Sequence, residues 1–110
     1  MNTILKALEL TRHAIILLEE EVVLHNRGAG SVGVLAQLDA CKEELCEMLA
    51  QLESGCLPPP NQRLRGMGHM IADSWPINST LGDALLLAEQ AYRSAENTST
   101  IARNYGNYSN

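Results

Sequence analysis

Three histidines and three cysteines are the side chains here best able to ligate a metal or act as nucleophile. The sequence does not gather them. There is no Cys-x-x-Cys and no His-x-x-x-His, the spacings that let one turn or one helix face present two ligands. Cys41 and Cys46 are five residues apart, which rotates them about 140° around a helix. His13, His25, His69, Cys41, Cys46 and Cys56 therefore read as ordinary half-buried side chains, and no metal site is expected. Gly28-Ala29-Gly30-Ser31-Val32-Gly33 matches Gly-x-Gly-x-x-Gly letter for letter. That motif cradles a pyrophosphate only between a strand and a helix of a parallel βαβ unit. Val22 to His25 makes a poor strand, so the glycines read as an interhelical turn and no cofactor is expected.

His25 is followed by Arg27 and Gly28. The histidine of a phosphotransfer bundle stands mid-helix, with its basic residue three positions on and its glycine four, so both spacing and context fail. No Gly-x-Ser-x-Gly occurs. Glu43 and Glu47 are paired at i, i+4, as carboxylates are on many solvated helices. The expectation is a protein that is not an enzyme. Trp75, the single tryptophan, has two readings. It can anchor a partner, since tryptophan is enriched at binding hot spots, or it can close one end of the core on the stripe of Leu64, Met67 and Ile71.

The elements that must carry these residues are helical. Over 3–26 the positions Ile4, Leu8, Thr11, Ile15, Leu18, Val22 and His25 recur in steps of four and three and define one stripe. Leu10, Ala14, Leu17 and Leu24 make a second stripe beside them. Gly28-Ala29-Gly30 stops the helix and Ser31 can cap the next. Residues 32–54 repeat the pattern through Leu35, Leu38, Cys41, Leu45, Met48 and Leu52, with Gly55 as C-cap and Pro58-Pro59-Pro60 forbidding continuation. Asn61 can open a shorter third helix over 61–74, which Pro76 ends. Gly66 and Gly68 weaken it and can permit close approach of a neighbour. Thr80 and Asp83 resemble a capping box for a fourth helix over 79–102, with Leu81, Leu85, Ala88, Tyr92, Ala95, Ser99 and Ala102 on its stripe. Residues 103–110 show no apolar period and read as a disordered tail. The expectation is all-α: a four-helix bundle-like single domain over 1–102, with a long antiparallel hairpin, a short third helix and a long fourth.

A chain of 110 residues, 45% hydrophobic and 19% charged, suits one packed core without disulfide or metal staples. Three is an odd number of cysteines, and all sit in helix-like sequence, which reads as reduced thiols in a cytoplasmic protein. The start lacks a basic, signal-like region, and no apolar run approaches a membrane span. The sequons at Asn78, Asn97 and Asn107 then carry no meaning. The net charge of −5 lies wholly in residues 1–57, while the acids and bases of 58–110 balance. That surplus repels phosphate backbones, so nucleic acid is not an expected partner, and it favours encounter with a basic protein surface. The alternative is a solvated face that only confers solubility. Read from charge, the candidate partner-binding residues are Glu20, Glu21, Glu43, Glu44 and Glu47, with Trp75 added as a possible anchor.

Gln37-Leu38 through Leu49, then Gly68, Trp75 and Leu81-x-x-Ala84-Leu85, resemble the small all-helical immunity proteins of type VI secretion effector–immunity pairs. The pattern is nearest to the family that neutralises NAD(P)-degrading or nucleotide-modifying toxins. Its Leu-Gly pair before the third helix is Met67-Gly68 here, and its closing aromatic is Trp75. The resemblance covers about residues 30–95; the linker Leu57 to Pro60 and an extra residue near Thr80 depart from it. It implies a bacterial, non-catalytic protein that binds a cognate toxin in the cytoplasm and blocks its active site or substrate. A second reading is a flagellar or type III export chaperone. Leu38-x-x-x-Lys42-Glu43-Glu44-Leu45 is similar to a motif of such chaperones, and the face of the fourth helix with Leu86 and Leu87 would take an amphipathic client helix. Neither reading specifies the oligomeric state.

Overall fold

A computed structural model describes residues 3–30, 33–76 and 79–96. Four α-helices follow one another: α1 (Thr3–Asn26), α2 (Leu35–Ser54), α3 (Gly66–Ser74) and α4 (Thr80–Ser94), with a 3₁₀ turn at Pro60–Gln62. No strand occurs among the described residues. The segment Val22 to His25 is helical, so the strand that a dinucleotide-binding glycine motif requires is not there.

Helix α1 packs against both α2 and α4 and forms the centre of the bundle. It runs antiparallel to α2: Arg12 near its start meets Glu53 near the end of α2 at 3.2 Å. It also runs antiparallel to α4, where the Glu96 amide donates to Thr3 Oγ1 at 2.7 Å. Leu8 and Leu18 of α1, Leu38, Leu45 and Leu52 of α2, and Leu85 and Tyr92 of α4 fill the core. Helix α3 crosses α2 and α4 at one side and adds Met67 and Ile71.

Several boundaries differ from the sequence expectation, each for a local reason. Helix α2 starts at Leu35 rather than residue 32. Its N-cap is Val34, whose amide donates to the Gln37 side chain at 3.2 Å; the proposed cap Ser31 lies outside the described residues. Gly28 and Gly33 in this turn have positive φ, which glycine adopts without steric cost. Helix α3 does not begin at Asn61. Residues 60–62 make only a 3₁₀ turn, and the chain is then extended at Arg63. Helix α4 is capped by Ser79, whose Oγ accepts from the Gly82 amide at 2.9 Å, so Thr80 is its first helical residue rather than its cap. It ends at Ser94, with Ala95 extended, short of the expected 102. Ser99, Ala102, the tail 103–110 and the sequon asparagines Asn78, Asn97 and Asn107 lie outside the described residues.

Arg63 explains two of these boundaries. Its Nη1 donates to the carbonyls of Tyr92, Arg93 and Ala95 at 3.1, 2.9 and 2.6 Å, and its Nε to Pro58 O at 2.9 Å. A buried guanidinium thus binds carbonyls at the C-terminal end of α4, where the helix dipole favours a cation. Reaching them requires the extended backbone that delays α3 to Gly66.

Candidate functional site

The acidic residues divide into an outward and an inward set. Glu43 and Glu47 project from the side of α2 opposite its core stripe and are exposed. Glu20 is exposed on the outer side of α1. At 3.6 residues per turn that outer side also carries Leu5, Glu9, Ile16 and Val23. Leu5 and Ile16 are 62% and 57% exposed, unusual for large aliphatic residues on the longest helix of a small domain.

The remaining three candidates turn inward, which corrects the expectation of a single acidic partner face. Glu21 is buried and pairs with His25 Nε2 at 3.3 Å, one turn along α1. Trp75 is buried at the end of α3, and its Nε1 donates to Gln37 Oε1 at 3.1 Å. The same oxygen receives the Val34 amide, so one glutamine ties the start of α2 to the end of α3. Trp75 closes the core rather than standing free as an anchor. Gly33 lies beneath it, where a β-carbon would come within 2.9 Å of the indole.

Glu44 also turns inward, half-buried against the start of α3. Its Oε1 accepts the amide of Met67 at 3.2 Å, the second residue of α3. Glu89 of α4 accepts the next amide, that of Gly68, at 3.1 Å. Two carboxyls from two helices therefore cap the N-terminus of a third, the end at which the helix dipole favours negative charge. Gly66 and Gly68 are there to make room. A β-carbon would meet Glu44 Oε1 at 3.1 Å from Gly66 and Glu89 Oε1 at 2.7 Å from Gly68. The close approach these glycines permit is that of carboxyls carried by the neighbouring helices α2 and α4.

Burial, then the adjoining Glu89 carboxyl, pushes the Glu44 carboxyl up from 4.5 to about 8, against the downward pull of the α3 amides. Cys41, one turn before Glu44 on α2, is pushed up to about 12 by burial and by the two carboxyls. That thiol is inert as a nucleophile. Cys46 and Cys56 are exposed rather than half-buried, and all three cysteines are free thiols. A cavity of about 170 Å³ beside Cys41, Glu44, Met67 and Met70 is smaller than the roughly 300 Å³ at which small-molecule sites begin. No group of three or more His, Cys, Asp or Glu among the described residues is placed to hold a metal.

No family model matches the chain, and no curated protein matches it in sequence.

Leu86 and Leu87 are both exposed on α4. They stand about 100° apart around α4. Leu86 faces α3, beside Gly68 and Ile71, and Leu87 lies on the opposite flank. No helix of the described residues is long and apolar enough to cross a membrane.

The inward roles of Glu44 and Glu89, and that of Arg63, were missed by sequence reasoning. The one available signal was the pair Gly66 and Gly68 in a short helix, since glycine there costs stability unless something must fit against the backbone.

Proposed function

We propose that this chain is a non-catalytic protein-binding domain whose contact surface is the outer face of α1. The observation that carries this reading is the row of Leu5, Ile16 and Val23, exposed on one side of α1 with Glu9 and Glu20 between them. None of the three belongs to the core cluster, and apolar residues interleaved with carboxylates suit a partner with apolar and basic groups. In its finer form the reading is an immunity protein that binds and inhibits a cognate secreted toxin, in keeping with the family resemblance and the acidic balance of the N-terminal half. Glu20, Glu43 and Glu47 are the carboxylates free to steer such a partner.

The export-chaperone reading draws less support. Its client groove was to run along α4, where Leu86 and Leu87 diverge.

The test pairs the chain with toxins encoded beside it in the source genome. Binding by interferometry and growth protection on co-expression should both be seen with the wild-type chain. Ile16→Glu should remove both while leaving the melting temperature within a few degrees. Glu43→Lys with Glu47→Lys should slow association and leave dissociation nearly unchanged. Full affinity and protection in Ile16→Glu would remove α1 as the contact surface. Binding of flagellar or secreted-subunit helices in place of any toxin would favour the chaperone reading.

A further inference from the structure

Glu44, half-buried on α2, and Glu89, buried on α4, bring two carboxyl groups together at the start of α3, each with one oxygen out of solvent. Glu89 is 5% exposed. Each residue spends one oxygen on an α3 amide, and the second oxygen of each is buried without a hydrogen-bond partner. Among the described residues no cation lies within ion-pair distance of either carboxyl; the ion pairs are Lys6–Glu9, Arg12–Glu53 and Glu21–His25.

Around the pair, Arg93, one turn beyond Glu89 on α4, borders the same cleft as Glu89 and Gly68, and Arg65 immediately precedes α3; among the described residues neither is ion-paired to the carboxyls. From α2 come Cys41 and, further off, Glu47; from α4 comes the Tyr92 hydroxyl, which donates to Gln51 Oε1 at 2.5 Å. Arg63 lies beyond Tyr92, committed to backbone carbonyls. On α3, His69 is exposed. The inward residues of α1 are apolar apart from Thr11 and Glu21, and Glu21 is paired with His25. The partial positive charge at the start of α3 balances about half of one negative charge, not two.

We propose that Glu44 and Glu89 form a one-proton latch on α3. With one proton held between the carboxyls, the pair keeps the Met67 and Gly68 amides and α3 stays docked; loss of that proton releases α3 from α2 and α4. Release uncovers Met67 and Ile71, which are otherwise core residues, and changes the surface on one side of the bundle. The position of Glu44, at about 8, sets the range. A carboxyl raised above its unfolded value stabilises the fold fully below the ordinary carboxylate range. It loses that contribution as pH rises through about 8. Cys41, at about 12, and Tyr92, raised by burial, keep their protons through this interval.

The test is a titration of the intact chain from about pH 6.5 to about pH 9.5 by nuclear magnetic resonance, following the Met67 and Gly68 amides and the carboxyl carbons of Glu44 and Glu89. One carboxyl should titrate with a midpoint of about 8. Both amides should lose exchange protection with it, and Trp75 emission should shift to the red at the same midpoint. Glu44→Gln keeps an acceptor for Met67 and a donor toward Glu89, and should abolish the transition. Glu89→Gln should do the same, and Cys41→Ala should leave the midpoint in place. Both carboxyls titrating below about pH 6, amides unchanged through about pH 9.5, or an unaltered midpoint in a folded glutamine variant would each overturn the latch. The wild-type carboxyl and amide titrations decide the matter even if neither glutamine variant folds.

Discussion

Helices α1 and α2 meet through Leu8, Leu18, Leu38, Leu45 and Leu52, buried side chains that need only be apolar and close in volume. Helix α3 adds Met67 and Ile71 to the same core, but it is also tied down at both ends by polar atoms. Glu44 and Glu89 hold its first amides, and Trp75 at its far end donates to Gln37. Nine residues cannot make a stable helix alone, and two of these are glycine. The leucine contacts between α1 and α2 hold no titrating group and tolerate conservative change. The α3 attachment is sensitive to protonation and to such change, because a buried polar group that loses its partner incurs the full desolvation penalty. Pairing within one small domain can therefore be robust in one half and conditional in the other.

The largest effect should come from the hairpin. Leu45→Ala removes a fully buried side chain from α2 and should cost about 4 kcal/mol by urea denaturation. The cost should be the same at pH 6 and at pH 9, since no titrating group is involved. A strongly pH-dependent cost would erase the distinction between the two regions. Arg63→Met comes next. It removes the guanidinium from the carbonyls of Tyr92, Arg93 and Ala95, of which Tyr92 keeps the Ala95 amide, and a loss of about 3 kcal/mol is expected. Circular dichroism should show helix lost from the end of α4, and Arg63→Lys should recover only part, because one ammonium cannot reproduce the guanidinium fork.

Gly68→Ala sharpens the comparison at smaller scale. Alanine gains about 1 kcal/mol of helix propensity, but its β-carbon would sit 2.7 Å from Glu89 Oε1 and push that carboxyl off the Gly68 amide. The net expectation is a loss of about 1 kcal/mol, measured by thermal melting. A stabilised variant would mean that Glu89 can move without penalty. The smallest effect belongs to Glu43→Lys with Glu47→Lys on the exposed side of α2. Glu47 accepts only a surface bond from Gln51, so the pair should change stability by less than about 1 kcal/mol. A larger loss would show that the outward acids are also structural.

Helix identity was legible because apolar residues at steps of three and four admit one arrangement of α1, α2 and α4, and because Gly55 and Pro76 mark stops that backbone geometry enforces. Thr3–Asn26 matches its expected span to the residue. The caps were less legible. Ser79 outcompetes Thr80 for α4 because the residue before the first helical turn must be extended, and adjacent hydroxyls look alike in a sequence. For α3, capping partners come from residues 23 and 21 positions away, so no local pattern could have named them.

The division of the acids was beyond the sequence for the same reason. Glu43 and Glu44 are neighbours of identical type, and the rotation of about 100° between successive helical residues sends the first to solvent and the second toward α3. The sequence alone determined the all-α class, the hairpin, the acidic N-terminal half and the apolar stripes, all of which depend on near-neighbour spacing. Only the tertiary structure decided which carboxylates face solvent and which turn into the fold. It likewise placed Trp75 in the core and set Arg63 on the end of α4. Those outcomes depend on which helices pack together and at what angle, and side chains far apart in the chain acquire their chemistry only when that packing removes the water between them.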